Sequence, residues 1–323
     1  MSRRVEAVLP FWLDRPDEEA LGVALAARAA GLDTLWIGEL ATFDAVALAT
    51  AIGHRAPGLR LKLGPLAIGV RSPVSIALAA SSVATLTGSQ VDVALGASSP
   101  AIVSGWHDRE WAHSATRMEE TIPCLRAILA GERSDHDGRH VRSHGFRLRR
   151  PQPGTRITAA AFGPAMTRVA ARHADEVVLN LVPPEHVRAV RATIDSEAAA
   201  AGRTPPPLAV WLAAALDPGS ETRAQLAAQV AIYLAPPGYG EMFAELGFSD
   251  LVERARAGAP RAELAGSVPP ALLERVCALG SAEQVTERIS SYFDAGADVV
   301  GVAPSTAEDP AGQGVLGAIA AAL

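Results

Sequence analysis

Three short clusters hold the residue types that chemistry needs. The first lies in ITAAAFGPAMTRVAARHADEVVLNL, residues 157–181. The apolar run Ile157–Phe162 stops at Gly163-Pro164, and Ala165–His173 follows with helical composition. Proline suits a first helical position. Amides at a helix start have no intrahelical acceptor and sit at the positive end of the dipole. Phe162, Gly163, Pro164, Ala165 and Met166 therefore form a turn that can hold a phosphate, although a plain strand-to-helix connection carries the same pattern. The second cluster is Gly105-Trp106-His107-Asp108. His107 could act as acid or base, or serve as a loop histidine with no chemical role. The third is Glu39, which closes the strand-like DTLWIG. Its carboxylate is either functional or bonded to loop amides. His136, His140 and His144 recur every fourth residue, but Asp137-Gly138 and Gly145 break the helix a metal face would need. No metal site is expected there.

The elements that must position these clusters alternate. Strands are expected at Val5–Leu9, Asp33–Gly38, Leu59–Leu66, Val91–Leu95, Ile157–Phe162, the end of 157–181, Pro207–Ala215 and Asp298–Ala303. Helices are expected at Asp17–Ala30, Phe43–His54, Pro73–Leu86, Thr116–Ala130, Ala165–His173, Pro184–Ala201 and Ser281–Ala295. Ser72 and Pro73 make a helix start, and Gly31 and Gly202 make stops. The strands are short and apolar throughout, as in a parallel sheet covered on both faces. Eight such repeats in one chain favour a (β/α)8 TIM barrel over an open doubly wound sheet. No G-x-G-x-x-G follows the first strand, which disfavours a dinucleotide fold. The whole chain, 1–323, reads as one barrel domain with insertions at about 131–153 and 235–278. The first reads as a hairpin turning at Asp137-Gly138. The second reads as APPGYGEMFAELGF followed by two or three short helices, walling a substrate cavity.

Composition narrows the function. The chain has 323 residues, is 49% hydrophobic and carries a net charge of −6. An acidic chain without dense basic runs and with few aromatics does not suit nucleic acid. Lys62 is the only lysine and sits inside the third strand, so any side-chain cation for a phosphate must be arginine, with Arg71, Arg168 and Arg172 the candidates. Cys124 and Cys277 lie far apart in apolar contexts and read as free core thiols. The opening MSRRVEAVLPFW lacks the apolar core of a signal peptide, and no stretch suits a membrane span. A cytoplasmic protein acting on a small-molecule substrate is expected.

Five segments in order resemble the luciferase-like superfamily, whose members use FMN or coenzyme F420. They are ARAAGLDTLWIGELATFDAVALATAIG (27–53), LRLKLGPLAIGVRSPVSIALAASSVATLTGSQVDVALGASS (59–99), RMEETIPCLRAILAGERSDHDGRHVRSHGFRL (117–148), FGPAMTRVAARHADEVVLN and GSAEQVTERISSYFDAGADVVGVAP (280–304). LWIGELATFDA, VALGASS, EVVLNLVPPEHV and YLAPPGYGEMFAELGF look most like the F420-dependent oxidoreductases of actinobacterial type. The resemblance implies hydride transfer at C5 of a deazaflavin, the cofactor bringing the chemistry and the protein its position. FMN with oxygen activation is the alternative, and a barrel that binds a cofactor without catalysis is a second.

The resemblance also implies where the ring lies. A bulge ending the third strand, here Gly64-Pro65 and its neighbours, would back it, with a cis or a trans peptide. Ala97 and Ser98, with Ser99, would touch ring or phosphate or else form a solvent loop, and Asn180 would bond the cofactor or a neighbouring strand. Trp12 would line the ring pocket or cover the barrel mouth. Glu39 and His107 are the candidate catalytic residues. Several family members place a histidine after the acid at the second strand, where this chain has Leu40, a departure that argues against the sugar-phosphate dehydrogenase mechanism. The family often dimerises through barrel helices, and the alanine-rich 77–86 would permit a homodimer.

Overall fold

The computed structural model describes residues 3–39 and 41–322. Leu40, the departure noted above, lies outside the described residues. The chain begins β1 (Arg4–Val8), α1 (Glu19–Ala29), β2 (Thr34–Ile37), α2 (Ala45–Arg55), β3 (Arg60–Ala67), α3 (Pro73–Thr87), β4 (Val91–Gly96) and α4 (Ser114–Leu129). A hairpin of β5 (Arg133–Asp137) and β6 (Arg142–Arg147) leads to β7 (Ile157–Ala160), α5 (Pro164–His173), β8 (Glu176–Asn180), α6 (Pro184–Ala200) and β9 (Leu208–Leu216). Then come α7 (Ser220–Tyr233), α8 (Tyr239–Phe243), α9 (Ser249–Arg256), α10 (Arg261–Ser267) and α11 (Pro270–Val276). The chain finishes with β10 (Ala278–Gly280), α12 (Ala282–Asp294), β11 (Val299–Pro304) and α13 (Gln313–Ala322).

Eight parallel strands close into a barrel with helices between them. Their order is β9-β11-β1-β2-β3-β4-β7-β8, β8 pairs back with β9, and the short β10 adds to β9. The chain divides into two compact units, one holding the chain up to Leu32, Leu179–Arg188 and everything from Val210, the other Asp33–Val178 and Ala189–Ala209. No helix among the described residues is long and apolar enough to cross a membrane.

Local signals set most helix starts. Ser72 Oγ accepts from the Ser75 amide, Pro73 opens α3, and Gly88 closes it at φ +73°. Ser281 and Gln284 cap α12 reciprocally. The expected start of the second helix at Phe43 moves to Ala45, because Asp44 Oδ1 accepts from the amides of Val46 and Ala47 and ends the preceding loop there. Helix α1 likewise starts at Glu19 instead of Asp17, after a turn in which Glu19 N donates to Pro16 O.

Five elements escaped the sequence reading: α7, α13, β10, a π-helical turn at Ala101–Trp106 and a 3₁₀ turn at Pro310–Gly312. In the segment 235–278, α8 and a π-turn at Ala244–Phe248 lie within APPGYGEMFAELGF, and the three short helices α9 to α11 follow it as expected. Gly247 at φ +96° breaks one helix from the next, and Pro260 and Pro270 restart the others. The hairpin β5–β6 forms as expected, its turn held by Glu120, whose carboxylate accepts the amides of Arg139, His140 and Val141. His144 bonds Asp135, and His140 stacks on His113 at 4.5 Å.

The second unit buries an ion pair in its strands. Lys62 Nζ reaches from β3 to Glu176 Oε2 of β8 at 2.7 Å, and the two side chains are 2% and 1% exposed. Thr158 Oγ1 donates to the same oxygen at 3.0 Å, and the ammonium lies 4.1 Å from the Trp36 ring centroid. Desolvating two charges is expensive, so the pair holds only because each partner is present. Cys124 and Cys277 are free and buried, and burial pushes the Cys277 thiol up to about 12.

Candidate active site

Within the second unit, β2, β3, β4 and β7 are parallel neighbours, so their carboxyl ends share one edge. β3 is bulged there, its register to β4 shifting between Leu63 and Leu66. Gly64 sits at φ +117° and the Gly64-Pro65 peptide is cis. A Cβ on Gly64 would come 2.2 Å from Ala94 O and 2.4 Å from Leu66 N, so no other residue fits this path. Across the next strand, a Cβ on Gly96 would meet Pro65 Cβ at 3.0 Å and Ala160 Cβ at 3.9 Å. Pro65, Gly96 and Ala160 thus lie side by side on β3, β4 and β7 as a floor of small apolar groups.

Beyond β4, Ala97 is half-buried and its carbonyl accepts from Trp111 Nε1 at 3.0 Å. Ser98 is exposed at φ +59°, an uncommon conformation for a residue with a side chain. Ser99 O accepts from the amides of Ile102 and Val103 and so starts the π-turn. His107 ends that turn, exposed to solvent.

At the end of β7, Phe162 and Gly163 are half-buried and lead into α5. Pro164 occupies its first turn, and no side chain caps the helix. The Gly163 carbonyl takes the Thr167 amide and hydroxyl. Among the described residues no acceptor meets the amides of Ala165 and Met166, and a Cβ on Gly163 would touch nothing within 4 Å. This open, electropositive helix start can take phosphate oxygens.

The arginines near these ends are committed elsewhere. Arg168 and Arg172 share a face of α5 and both bond Glu197. Arg71 grips both oxygens of Glu39 and also Asp44 Oδ2 at 2.7 Å. The hydrogen bond it donates to Glu39 raises the Arg71 pKa above its ordinary value despite burial. Burial pushes the Asp44 carboxyl up, but the Ala47 amide, Arg71 and the Val46 amide together bring it below the usual range. Arg71 therefore clamps the loop between β2 and α2, and Glu39 is a held carboxylate. No hydrogen bond or ion pair between described residues joins Glu39 to His107.

The first unit has strand ends of its own. Trp12, after β1, is buried, with Nε1 donating to Pro304 O of β11 at 2.9 Å. Behind it Gln225 receives the Ser305 hydroxyl at 2.7 Å and the Thr306 amide at 3.1 Å, and donates to Asp14. Asn180 ends β8, half-buried, beside Tyr233 and Tyr239, whose phenols burial raises against the opposing pull of Asn180. Sequence reasoning missed these tyrosines as site residues. The one available signal was their position in YLAPPGYGEMF, an insertion expected to form a wall.

The family model described as luciferase-like monooxygenase matches residues 14–299. A 5,10-methylenetetrahydromethanopterin reductase from Methanolobus tindarius is 23% identical over 87% of this chain and 89% of its own length. An F420-dependent glucose-6-phosphate dehydrogenase from Mycobacterium avium is 28% identical over 49% of this chain and 51% of its own length. The structure of the coenzyme F420-dependent tetrahydromethanopterin reductase from Methanopyrus kandleri superposes with a TM-score of 0.82 at 16% identity, covering 98% of this chain and 97% of that one. With its parallel barrel, its bulged third strand and a family match over most of its length, the chain belongs to the luciferase-like monooxygenase family and is an oxidoreductase.

Proposed function

We propose that this oxidoreductase uses coenzyme F420 and transfers a hydride between C5 of the deazaflavin and a small organic substrate. The observation that carries the reading is the floor of Pro65, Gly96 and Ala160 beside the open amides of α5. A flat ring needs a level apolar backing, and at Gly96 only hydrogen keeps it level. A phosphate needs donors, and the Ala165 and Met166 amides supply them without a side-chain cation. That matters because Lys62 is buried against Glu176 and Arg168 and Arg172 are held by Glu197. The residues present therefore fit the group, and the F420-dependent relatives support the choice.

When bound, coenzyme F420 supplies a hydride donor or acceptor at carbon. The chain's residues bind and orient. Gly64, Pro65, Ala97 and Ser98 border the ring position, Phe162 to Met166 hold phosphate, and Asn180 bonds at the end of β8. Glu39, gripped by Arg71, serves as a fixed hydrogen-bond acceptor. The test is a fluorescence titration of the purified protein with coenzyme F420 and, separately, with FMN. Tighter binding of coenzyme F420 is expected. Preferential binding of FMN would replace this reading with that of an FMN-dependent monooxygenase.

A further inference from the structure

Residues 131–150, GERSDHDGRHVRSHGFRLRR, hold six arginines against three acidic residues, in a chain whose net charge is −6. They form the hairpin β5–β6 and the segment that follows it, and the hairpin packs on α3 and α4. Ser134 is buried and His136, Ser143 and Phe146 are half-buried, on the side of the hairpin turned to those helices. The outward side carries three cross-strand pairs: Asp137 with Arg142, Asp135 with His144, and Arg133 with Arg147.

Two of these pairs are complementary. Arg142 Nε lies 3.0 Å from Asp137 Oδ1, and His144 Nδ1 lies 3.0 Å from Asp135 Oδ1. The third pair is not. Arg133 and Arg147 stand directly opposite each other and both are exposed, an arrangement in which like charges destabilise a hairpin. Among the described residues no carboxylate bonds Arg133, Arg147 or the exposed Arg149 and Arg150 that follow.

The backbone holds this pair in place. Between Arg133 and Asp135 the register shifts, so β6 carries one extra residue there. Gly145 sits in that bulge at φ +79°, and a Cβ on it would lie 3.6 Å from a terminal nitrogen of Arg133. The Arg133 guanidinium therefore lies back over β6. Arg147 donates through Nε to Gly131 O at 2.9 Å, which leaves its two terminal amino groups for another acceptor.

Two guanidinium groups fixed on one strand pair without a counter-charge suit a ligand with more than one negative charge. Each guanidinium fork matches a pair of phosphate oxygens. The acidic chain as a whole repels a long polyanion, whereas a compact anion meets only the local charge. We propose that Arg133 and Arg147, followed in the chain by Arg149 and Arg150, form a binding site for a compact diphosphate group on the outward side of the β5–β6 hairpin. The site uses none of the residues assigned to the ring or its phosphate.

The experiment titrates the full-length, cofactor-free protein, carrying isotope-labelled arginine, with inorganic pyrophosphate and reads the Nε–H signals by NMR. Arg133→Gln and Arg147→Gln give the assignments. The Arg133 and Arg147 signals are expected to shift saturably, and those of Arg168 and Arg172 on α5 to stay in place. R133Q or R147Q is expected to weaken binding by about 10-fold or more, the worth of one charge-assisted hydrogen bond. Arg133→Glu supplies the missing counter-charge across the strands, so it should raise the urea midpoint of the free protein while abolishing the pyrophosphate response. Succinate, a compact dicarboxylate, should bind more weakly than pyrophosphate. ADP carries the same diphosphate group on a nucleoside: tighter binding of ADP assigns that source, tighter binding of pyrophosphate assigns the free anion, and either supports the site. No saturable shift at Arg133 and Arg147, equal movement of every exposed arginine signal, equal or tighter binding of succinate, or an affinity unchanged in both R133Q and R147Q would overturn the proposal. Every reading is made without coenzyme F420, so the site stands or falls apart from the cofactor reading.

Discussion

Replacing Gly64 with alanine probes the bulge on which the ring floor depends. Two effects add. At φ +117° an L-residue is strained by about 1–3 kcal/mol. The new Cβ also falls 2.2 Å from Ala94 O and 2.4 Å from Leu66 N, both backbone atoms that no rotamer change can move. Relief requires β4 to shift against β3, and overpacking of this kind costs about 1–3 kcal/mol. The expected loss is therefore about 2–6 kcal/mol, against a total stability of about 5–15 kcal/mol for an ordinary domain. Urea unfolding of wild type and G64A measures it. Gly154→Ala is the control, because Gly154 is exposed and a Cβ there meets nothing within 4 Å. It should stay within about 0.5 kcal/mol of wild type. Where G64A remains folded at low urea, affinity for coenzyme F420 should fall by about tenfold or more, since Pro65 can no longer lie level with Gly96. A G64A protein as stable as the Gly154→Ala control, with unchanged affinity, would refute the reasoning.

Other consequences are open to measurement. Lys62→Met strands the Glu176 carboxylate in the core and should destabilise the protein by about 3–5 kcal/mol, while K62M/E176Q, which removes both charges, should recover much of that loss; equal unfolding midpoints for the single and double variants would contradict the paired-burial account. His186 is held below its ordinary pKa by burial, against the opposing pull of Glu245 and Glu185. The unfolded chain then takes up that proton first, near pH ~6.5, so stability should fall as pH drops from there toward the lower native value. His186→Gln should flatten that part of a plot of urea midpoint against pH, and superimposable slopes would exclude the effect.

Much of the barrel is written in local sequence. The start of α3 follows from Ser72 and Pro73 and its end from Gly88, all within one helix length. The turn into α5 likewise depends on adjacent residues, Gly163 and Pro164. Helix α7 escaped notice because in SETRAQLAAQVAIY the polar Thr222 and Gln225 are buried, which blurs the apolar stripe. β10 is three residues long and too short to announce itself.

The clusters that define the site were legible only in part. Glu39 was visible as an acid at a strand end, but nothing near it in sequence announced that Arg71, 32 positions on, would take both its oxygens. Lys62 stood out as the sole lysine, yet its partner Glu176 lies 114 positions away. Tyr233 and Tyr239 lie beside Asn180 because two helix termini lie beside a strand end. Short-range chemistry, meaning propensity, capping and turn stereochemistry, acts between neighbours, and so the local sequence alone determined the alternating strands and helices. Which charges are quenched and which backbone bends against its preference depends on contacts between distant segments. Those were decided only when the strands took their places and burial made each unpaired polar group find a partner.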